Sequence, residues 1–391
     1  MRILQLHTAY RQAGGEDRVV ATEARLLRDA GHEVITYQSA NPEGVRTGLS
    51  LAAAPWNPAR AQAASRVAAR LQPDVAHVHN TWFAMSPAVL APLRRLGIPV
   101  VMTLHNYRLV CAAATLFRDG ATCEDCVGTH PWHGVRHACY RGSRAQSAVA
   151  AATIALHARR GTWHRDVDRF LALTEFGRQE FIAGGLPAAR IAVKSNSVDD
   201  PGTRPEPPSA SRTVVFLGRL TEEKGIRTLL DAWRRSPSQL RLVIVGTGPL
   251  EAQVRREASA RVRVVGSLPL EEVTSLLLTA RALVLPSIWF EGQGLVALEA
   301  AAAGLPVVLS DLGAMAGLFA PGADELLFPA GDVDALVGRL ARLEDDRFVD
   351  GYAAHTRRCF EERYTHDVGL RTLEDAYRDA IEHAVASDGR A

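Results

Sequence analysis

Short runs of aliphatic and β-branched residues recur along the first half of the chain, and longer stretches with helical character separate them. These runs are Arg2–Leu6, Val34–Tyr37, Val75–His79, Val100–Leu104 and Phe170–Thr174. Strands that alternate with helices are typical of βαβ units, in which the strands run parallel. The pattern predicts a doubly wound, Rossmann-like α/β domain over residues 1–195.

The same rhythm restarts after residues 196–212, a stretch rich in Pro and Ser that favours neither a helix nor a central strand, so we expect the interdomain linker there. The later runs are Thr213–Leu217, Leu240–Val245, Val262–Val265, Ala282–Leu285 and Val307–Leu309. They predict a second doubly wound domain over 213–355, followed by helices over 356–391 that pack back on the N-terminal domain. Two such domains would face one another across a cleft at the carboxyl ends of their strands, where these folds bind ligands.

Composition narrows the functional classes. The chain has 391 residues, of which 47% are hydrophobic and 23% charged, as expected for a globular protein of two domains. A formal net charge of +2 gives no reason to expect nucleic-acid binding. The N-terminus lacks the pattern of a secretory signal, and no run reaches the ~20 apolar residues of a membrane span. We therefore expect a cytoplasmic protein.

The loop Gly218–Gly225 carries the first candidate chemistry. It follows a predicted strand and leads into the predicted helix Ile226–Arg235, so Arg219 and Lys224 would lie beside a helix start. A planar guanidinium, a compact ammonium and the positive end of a helix dipole together favour an anion such as a phosphate. Taken alone, the loop could equally be a solvated basic turn.

A second loop follows the predicted strand Ala282–Leu285. Its Gly-Gln-Gly stretch around Gln293 would let backbone approach a ligand before the next helix begins. Glu299, about one turn into that helix, could accept two ribose hydroxyls, while Glu291 at the loop mouth could accept hydroxyls of a transferred sugar. The alternative is that both acids are surface carboxylates. The backbone amides expected to face phosphate are those of Gly294, Leu295 and Val296.

These motifs, in their order along the chain, resemble those of glycosyltransferase family 4. Gly14–Val20 is similar to the family's glycine loop after the first strand, Thr103–Tyr107 to its sugar-site histidine motif and Gly218–Gly225 to its diphosphate loop, while Glu291 and Glu299 match its paired glutamates. The resemblance spans the whole chain. It implies the GT-B fold, retention of anomeric configuration, a nucleotide-diphosphate sugar bound mainly by the C-terminal domain and a hydroxyl acceptor bound mainly by the N-terminal one.

The resemblance also assigns roles to residues. His105, at the carboxyl end of a predicted strand, would contact the sugar or the developing charge, although a packed core histidine is the alternative. The chain departs from the family at Asn106, where Asp is common, and at Gln293, where Phe is frequent. The predicted catalytic residues are His105, Arg219, Lys224 and Glu291. The predicted donor-binding residues are Gly15, Gly218, Gly246, Gln293, Gly294, Leu295, Val296 and Glu299.

Charge development argues for the mechanism. Negative charge accumulates on the departing diphosphate as the sugar becomes cation-like, so preorganised positive charge is the main requirement. Two Asp-x-Asp strings could suggest a metal, but Asp166-Val167-Asp168 precedes a strand at its amino end and Asp332-Val333-Asp334 is typical of a helix N-cap. We expect catalysis with no required cofactor. By the resemblance, a phosphate oxygen accepts the acceptor's proton and no protein nucleophile takes part.

Four of the five cysteines lie within a loop-like insertion over about residues 108–142. Their spacing, Cys-x11-Cys-x2-Cys-x12-Cys, could close a tetrahedral zinc site that staples the insertion and shapes the acceptor pocket. Free thiols and an iron–sulfur cluster are the alternatives. The predicted zinc ligands are Cys111, Cys123, Cys126 and Cys139, and the histidines that could substitute are His130, His133 and His137.

Other partners and functions stay open at this point. Arginines that flank the Ala-rich stretch Ala148–Ala158, among them Arg144, Arg159 and Arg160, could rest on anionic lipid. Such contact would suit a lipid-linked acceptor and peripheral contact with the inner membrane face, but a solvated helix face is favoured because few bulky apolar residues accompany the arginines. A sugar-nucleotide epimerase of similar architecture and a non-catalytic nucleotide-sugar binder are the competing functions. A Rossmann oxidoreductase is disfavoured, because Gly14-Gly15 lacks the full Gly-x-Gly-x-x-Gly fingerprint.

Overall fold

The computed structural model describes residues 1–9, 14–41 and 45–388. Its internal contacts divide the chain into two compact units. The first unit comprises Met1–Leu116, Cys123–Ser195 and the chain from Gly369 onward, and the second comprises Phe117–Thr122 and Asn196–Val368.

The strands of the described residues form two larger sheets and one hairpin. They are β1 (Arg2–Ala9), β2 (Glu33–Ala40), β3 (Val75–Asn80), β4 (Val100–Leu104), β5 (Phe117–Arg118), β6 (Ala121–Thr122), β7 (Arg169–Ala172), β8 (Ile191–Val193), β9 (Thr213–Leu217), β10 (Arg241–Val245), β11 (Val262–Gly266), β12 (Ala282–Leu285), β13 (Val307–Ser310) and β14 (Leu327–Phe328).

Helices connect these strands, as parallel pairing requires. They are α1 (Gly15–Asp29), α2 (Val45–Ala52), α3 (Pro58–Leu71), α4 (Leu90–Arg95), α5 (His133–Arg136), α6 (Arg144–Arg159), α7 (Thr162–Arg165), α8 (Glu175–Ala183), α9 (Ile226–Arg235), α10 (Glu251–Arg256), α11 (Leu270–Thr279), α12 (Leu295–Ala302), α13 (Val333–Arg342), α14 (Asp346–Arg363) and α15 (His366–Asp388). Side-chain caps start several of them, at Asn57, Ser143 and Thr174 among others.

Each unit is built on one six-stranded parallel sheet. The order is β2-β1-β3-β4-β7-β8 in the first unit and β11-β10-β9-β12-β13-β14 in the second. Central strands such as β3, β4, β12 and β13 are buried at every position, because helices cover both faces of a parallel sheet. The two predicted doubly wound α/β domains are confirmed.

Two edge strands and a hairpin were not predicted. The edge strands β8 and β14 have three and two residues, and the hairpin β5–β6 has two residues in each strand. Runs of this length carry no periodicity that distinguishes a strand from a loop.

The predicted linker, residues 196–212, and the predicted C-terminal segment, residues 356–391, are assigned to the two units differently from the expectation. Residues 196–212 belong to the second unit, where Arg204 donates to the carbonyls of Leu277, Ala280 and Ala303. The segment 356–368 stays there as well, since the Tyr364 hydroxyl donates to the Leu318 carbonyl. The chain from Gly369 onward belongs to the first unit. No helix among the described residues has the length and apolar content needed to cross a bilayer.

Candidate active site

In the second unit, the two predicted phosphate-side loops meet through an ion pair. The Lys224 ammonium nitrogen lies 2.6 Å from Glu291 Oε1, and the Ser287 hydroxyl donates to the same oxygen at 2.7 Å. Lys224 also lies over the Trp289 ring, 5.2 Å from its centroid. A carboxylate on one side and an aromatic face on another hold the ammonium in one place, so it is preorganised for a further anion.

The Glu291 carboxylate is charged in this arrangement. Burial raises the pKa of this carboxyl, but the charge and hydrogen bond of Lys224, with a further hydrogen bond from Ser287, outweigh burial and hold the pKa below its usual value. Only 7% of Glu291 is exposed. The site therefore presents an ionised, oriented acceptor for hydroxyl groups next to a cation.

Two glycines allow the loops to come this close. Gly225 caps the start of α9 with φ of 67°, and a Cβ there would lie 1.7 Å from the Pro286 carbonyl oxygen. Gly246 has φ of 137°, and a Cβ there would lie 1.9 Å from the Gly218 carbonyl oxygen. Any larger residue would push the backbone apart, so these glycines set the spacing between the strand ends.

Helix α12 begins at Leu295, four residues after Glu291, and its first turn offers backbone N–H donors. Gly294 caps the helix with φ of 76°, and Leu295 and Val296 form its first turn, where N–H groups have no partner within the helix. Glu299 is half-buried and lies about one turn further on. Gln293 is buried, and its side-chain oxygen accepts the Asn196 backbone N–H at 2.7 Å, a contact that sequence reasoning did not anticipate.

Arg219 occupies a more open position than Lys224. Its side chain is 67% exposed and lies 3.3 Å from the Glu223 carboxylate. An exposed ion pair of this kind contributes little to stability, so Glu223 restrains the position of the Arg219 guanidinium only weakly.

In the first unit, His105 follows β4 and lies beside His79 of β3. Nε2 of His105 and Nδ1 of His79 are 3.1 Å apart, and the two rings are stacked. Burial lowers the pKa of His105 to about 3, with the Lys194 ammonium adding to this and the Glu23 carboxylate opposing it. His105 is therefore neutral near neutral pH and acts as a hydrogen-bonding group.

A pocket in the first unit opens beside His105. Arg108 forms part of its wall: the guanidinium lies 4.8 Å from the centroid of the Trp82 ring and 4.9 Å from that of Tyr140, and it donates to the Ala112 carbonyl. The other lining residues are mostly apolar and include Met102, Leu104, Leu109, Ala150, Ile154 and Trp163. The pocket therefore combines one charged group and apolar side chains with polar ones such as Asn80, Asn106 and Thr153.

The predicted glycine loop contributes a helix start in the same unit. Gly14 caps α1, which begins at Gly15, and the Asp17 carboxylate accepts the Gly14 N–H at 2.9 Å. The other Asp17 oxygen lies 2.8 Å from Nε2 of the buried His7. Asp17 thus couples the beginning of α1 to the end of β1.

Two family models match the chain. The model described as Glycosyltransferase Family 4 matches residues 13–200, and the model described as Glycosyl transferases group 1 matches residues 211–346. Together these ranges cover most of both units. The chain belongs to glycosyltransferase family 4.

Solved structures support the GT-B fold of this family 4 transferase. It is similar to sucrose-phosphate synthase from Thermosynechococcus elongatus, with 18% identity, a TM-score of 0.70 and coverage of 96% of this chain and 98% of the other. It is also similar to HepE of Anabaena, solved with UDP and glucose, with 17% identity, a TM-score of 0.65 and coverage of 96% and 98%. At these identities the likeness concerns the fold.

One curated relative matches locally. The O-antigen chain mannosyltransferase C of Escherichia coli is 57% identical to the transferase over 44 residues. The match covers 11% of this chain and 11% of the relative.

The two Asp-x-Asp strings of the transferase have structural roles. Asp168 is buried just before β7, where it accepts the Val100 backbone N–H at 2.8 Å and lies 3.3 Å from Arg94. The Asp332 side chain accepts the Ala335 N–H and caps α13, as predicted. Asp168 is thus engaged by β4 and Arg94, and Asp332 by the start of α13.

The predicted cysteine cluster lies within the first unit. None of the four thiols forms a disulfide with another described cysteine. Burial, together with the nearby Cys111, Cys139 and Cys123, raises the pKa of Cys126 to about 11, while a backbone hydrogen bond from Gly134 opposes the rise. Among the described residues, the set of three or more potential ligand atoms within 4.8 Å of one another is formed by Glu23, His77 and His79. No three of the four thiols lie within 4.8 Å of one another.

The sequence pattern did not single out Lys194 as a candidate site residue. Lysine occurs only twice in the chain, at Lys194 and Lys224, while arginine supplies every other basic side chain except histidine. Both lysines form ion pairs with buried glutamates, Lys194 with Glu23 and Lys224 with Glu291. In a chain that otherwise uses arginine, a lysine indicates a position where a compact ammonium fits and a planar guanidinium does not. This signal could have identified both buried ion pairs from the sequence.

Proposed function

We propose that this transferase moves a sugar from a nucleotide-diphosphate sugar to a hydroxyl acceptor with retention of anomeric configuration. The observation that carries the proposal is the Lys224–Glu291 pair. At 2.6 Å it joins the residue proposed to bind the diphosphate to the residue proposed to bind the sugar hydroxyls. Membership of family 4 supports it. The presence of UDP in the Anabaena neighbour favours a uridine diphosphate sugar as donor.

The residues then take the following roles. Lys224, Arg219 and the amides at the start of α12 stabilise the negative charge of the departing diphosphate. Glu291 accepts hydroxyls of the transferred sugar, and Glu299 accepts those of the ribose. His105 contacts the sugar as a neutral imidazole.

The proposed step balances without a protein nucleophile. The bond between the anomeric carbon and the donor phosphate oxygen breaks, and the acceptor oxygen bonds to the same carbon on the same face. The acceptor's proton passes to a phosphate oxygen of the leaving nucleoside diphosphate. The requirement on the protein is positive charge and orientation, with no required cofactor.

A binding panel followed by turnover tests the proposal. Nucleotide sugars are first screened for an increase in the thermal unfolding temperature of the full chain, and the best donor is then offered with glycan, lipid-linked and small alcohol acceptors. Lys224→Ala should lower kcat by about a hundredfold or more, because it removes the oriented cation from the leaving group. Glu291→Gln, which keeps the shape, should lower turnover and should weaken recognition of the sugar more than that of the free nucleotide.

Arg255→Ala is the matched control, because Arg255 is an exposed arginine of the same unit that pairs with Glu251 one helical turn away. It should turn over like the wild type. A wild type that no nucleotide sugar stabilises contradicts the proposal, and so does a Lys224→Ala variant with normal turnover. Conversion of the donor without any acceptor would identify an epimerase, and binding without turnover a non-catalytic binder.

For the cysteine cluster we propose a structural zinc ion held by Cys111, Cys123, Cys126 and Cys139. Burial is the largest cause of the raised Cys126 pKa, but Cys111, Cys139 and Cys123 contribute to it as well, and this proximity of the four thiols supports the proposal. Thiolates that repel one another gain by sharing a cation. Binding would require the thiols to move closer together than they lie in the chain alone.

Metal analysis tests this site. The purified chain should contain about one zinc per molecule if the four thiolates close one tetrahedral site, and Cys126→Ser should lose it. Cys359→Ser is the control, because Cys359 is a buried cysteine of α14 near His355 and outside the cluster. Equal zinc content in the two variants, or no zinc in the wild type, would contradict the assignment.

A further inference from the structure

A line of buried polar groups extends behind His105 in the first unit. The Lys194 ammonium contacts Glu23 Oε1, and Glu23 Oε2 lies 3.8 Å from Nε2 of His79. Nδ1 of His79 in turn lies 3.1 Å from Nε2 of His105. Lys194 is 2% exposed, Glu23 4% and His79 3%, so water does not screen these charges.

Four separate elements supply this line. Glu23 lies on α1 and His79 on β3, while His105 follows β4 and Lys194 follows β8. The Lys194 backbone N–H donates to the Ala172 carbonyl at 2.8 Å, which extends the pairing of β7 and β8 by one residue. The sheet therefore fixes the position of each group.

The line is an unfavourable place for a metal ion, although Glu23, His77 and His79 have the right ligand spacing. Lys194 already supplies a positive charge at Glu23. Both ring nitrogens of His77 are engaged, Nδ1 with the Tyr377 hydroxyl and Nε2 with the Thr103 hydroxyl, each at 2.8 Å. The buried cation of this cluster is the lysine itself.

The charge at Glu23 selects the tautomer of His79. Burial raises the pKa of the Glu23 carboxyl, but the charge and hydrogen bond of Lys194 oppose burial and the pKa lies below its ordinary value, so the carboxylate is ionised. A neutral His79 that carries its proton on Nε2 directs the N–H dipole toward this anion. The other tautomer would direct a lone pair at the anion across 3.8 Å of low-dielectric interior.

The tautomer of His105 then follows from that of His79. With its proton on Nε2, His79 can only accept at Nδ1, so His105 must donate from its own Nε2. This leaves Nδ1 of His105 without a proton. Within the described chain that nitrogen has no hydrogen bond, and His105 lines the pocket beside Arg108.

We propose that Lys194, Glu23 and His79 are positioning residues that hold His105 in the Nε2–H tautomer, so that its Nδ1 accepts a hydrogen bond from a substrate hydroxyl. The substrate part of this inference rests on the proposed sugar transfer. The other titratable groups that act on His105 are His7 of β1 and Asp17 of α1, which bond to each other.

The tautomer can be measured directly in the full-length protein. Long-range proton–nitrogen NMR of histidine-labelled protein distinguishes Nε2–H from Nδ1–H imidazoles, and the His105 signal is assigned by its loss in His105→Gln. We expect the Nε2–H pattern for both His79 and His105 in the wild type. An Nδ1–H pattern for His105 would overturn the proposal without any variant.

A neutralised pair tests the cause. Glu23→Gln combined with Lys194→Met removes both charges together and avoids leaving one buried charge unpaired, which the single changes would do. In this double variant the Nδ1–H form of His105 should become detectable beside the Nε2–H form. A pattern that stays purely Nε2–H would overturn the role of the ion pair.

The activity readout separates this inference from the proposed function. In the double variant kcat should fall more than the KM for the donor rises, because the change at His105 affects orientation of the sugar and leaves the diphosphate contacts of Lys224 intact. A purely structural role would lower the urea midpoint and leave the tautomer unchanged. The NMR result needs no turnover, so failed sugar transfer and a failed tautomer prediction are distinct outcomes.

Discussion

At the scale of single residues, Lys224 and Lys194 share one arrangement, in which a lysine rather than an arginine pairs with a buried glutamate. Each ammonium contacts a glutamate that is at least nine-tenths buried, Glu291 in one unit and Glu23 in the other. An ammonium concentrates its charge at one point and can fill a small cavity, whereas a guanidinium needs a planar opening. The arginine-rich background of the chain makes these two positions stand out.

Gly225 provides a test at this scale. Gly225→Ala should destabilise the second unit and weaken donor binding, because its Cβ would overlap the Pro286 carbonyl oxygen at 1.7 Å and force the two phosphate-side loops apart. Unfolding in urea and the thermal shift with the best nucleotide sugar measure the two effects.

Gly331→Ala is the matched control for this change. Gly331 also has a positive φ, of 81°, but a Cβ there would meet nothing within 4 Å. It should therefore cost only the left-handed backbone strain of about 1 kcal/mol. Equal losses in both variants would show that the approach of the loops is not limited by Gly225.

The sequence predicted many site residues but few of their contacts. Lys224 and Glu291 were each expected near a donor, yet the bond between them was not, because the two residues are 67 positions apart. Gln293 was expected at the donor, and the structure directs its side-chain oxygen to the backbone of Asn196. Residue type and local turn chemistry are visible in a sequence, whereas partners across the fold are not.

At the scale of elements, α15 completes the first unit. Its Tyr377 is fully buried and bonds to His77 of β3 across 300 positions of sequence, while Glu374 bonds to His32 at 2.8 Å. Burial raises the pKa of the Tyr377 hydroxyl well above its usual value, so it stays neutral and can donate. A helix at the end of the chain thereby stabilises the sheet that carries His105.

Tyr377→Phe should lower the free energy of unfolding by about 1–3 kcal/mol, because His77 Nδ1 loses its buried partner. Urea unfolding followed by tryptophan fluorescence measures the loss. Tyr37→Phe, at a half-buried position of β2, should change the stability by less than about 0.5 kcal/mol. If the two variants unfold at the same urea concentration, the bond between α15 and β3 contributes nothing measurable.

At the scale of the whole molecule, several buried histidines make stability depend on pH. Burial lowers the pKa of His105 to about 3 and that of His157 to about 4 from an ordinary value of 6.5. The unfolded chain therefore binds more protons than the folded chain between these values, and the free energy of unfolding falls as the pH is lowered through about 6.5. The pKa of Glu23 is also lowered in the folded chain, so the free energy of unfolding falls further when the pH drops below the ordinary range of a glutamate.

We expect the urea midpoint of the full chain to be lower at about pH 5 than at about pH 7, with each such histidine contributing about 1.4 kcal/mol per pH unit below its unfolded pKa. A set of urea titrations between these pH values measures the slope. An unchanged midpoint would mean that the histidines take up protons in the folded state. His157→Gln should reduce the slope, because one of these groups is then absent.

By itself the sequence determined the two parallel α/β units and the loops after β9 and β12, because buried parallel strands and glycine turns leave local patterns. The tertiary structure decided the pairing of Lys224 with Glu291 and of Lys194 with Glu23, and the division of the C-terminal helices between the units. These features depend on strand order, since β8 lies at the edge of its sheet and Lys194 meets Glu23 across 171 positions. Contacts of that range arise only when the sheets have formed.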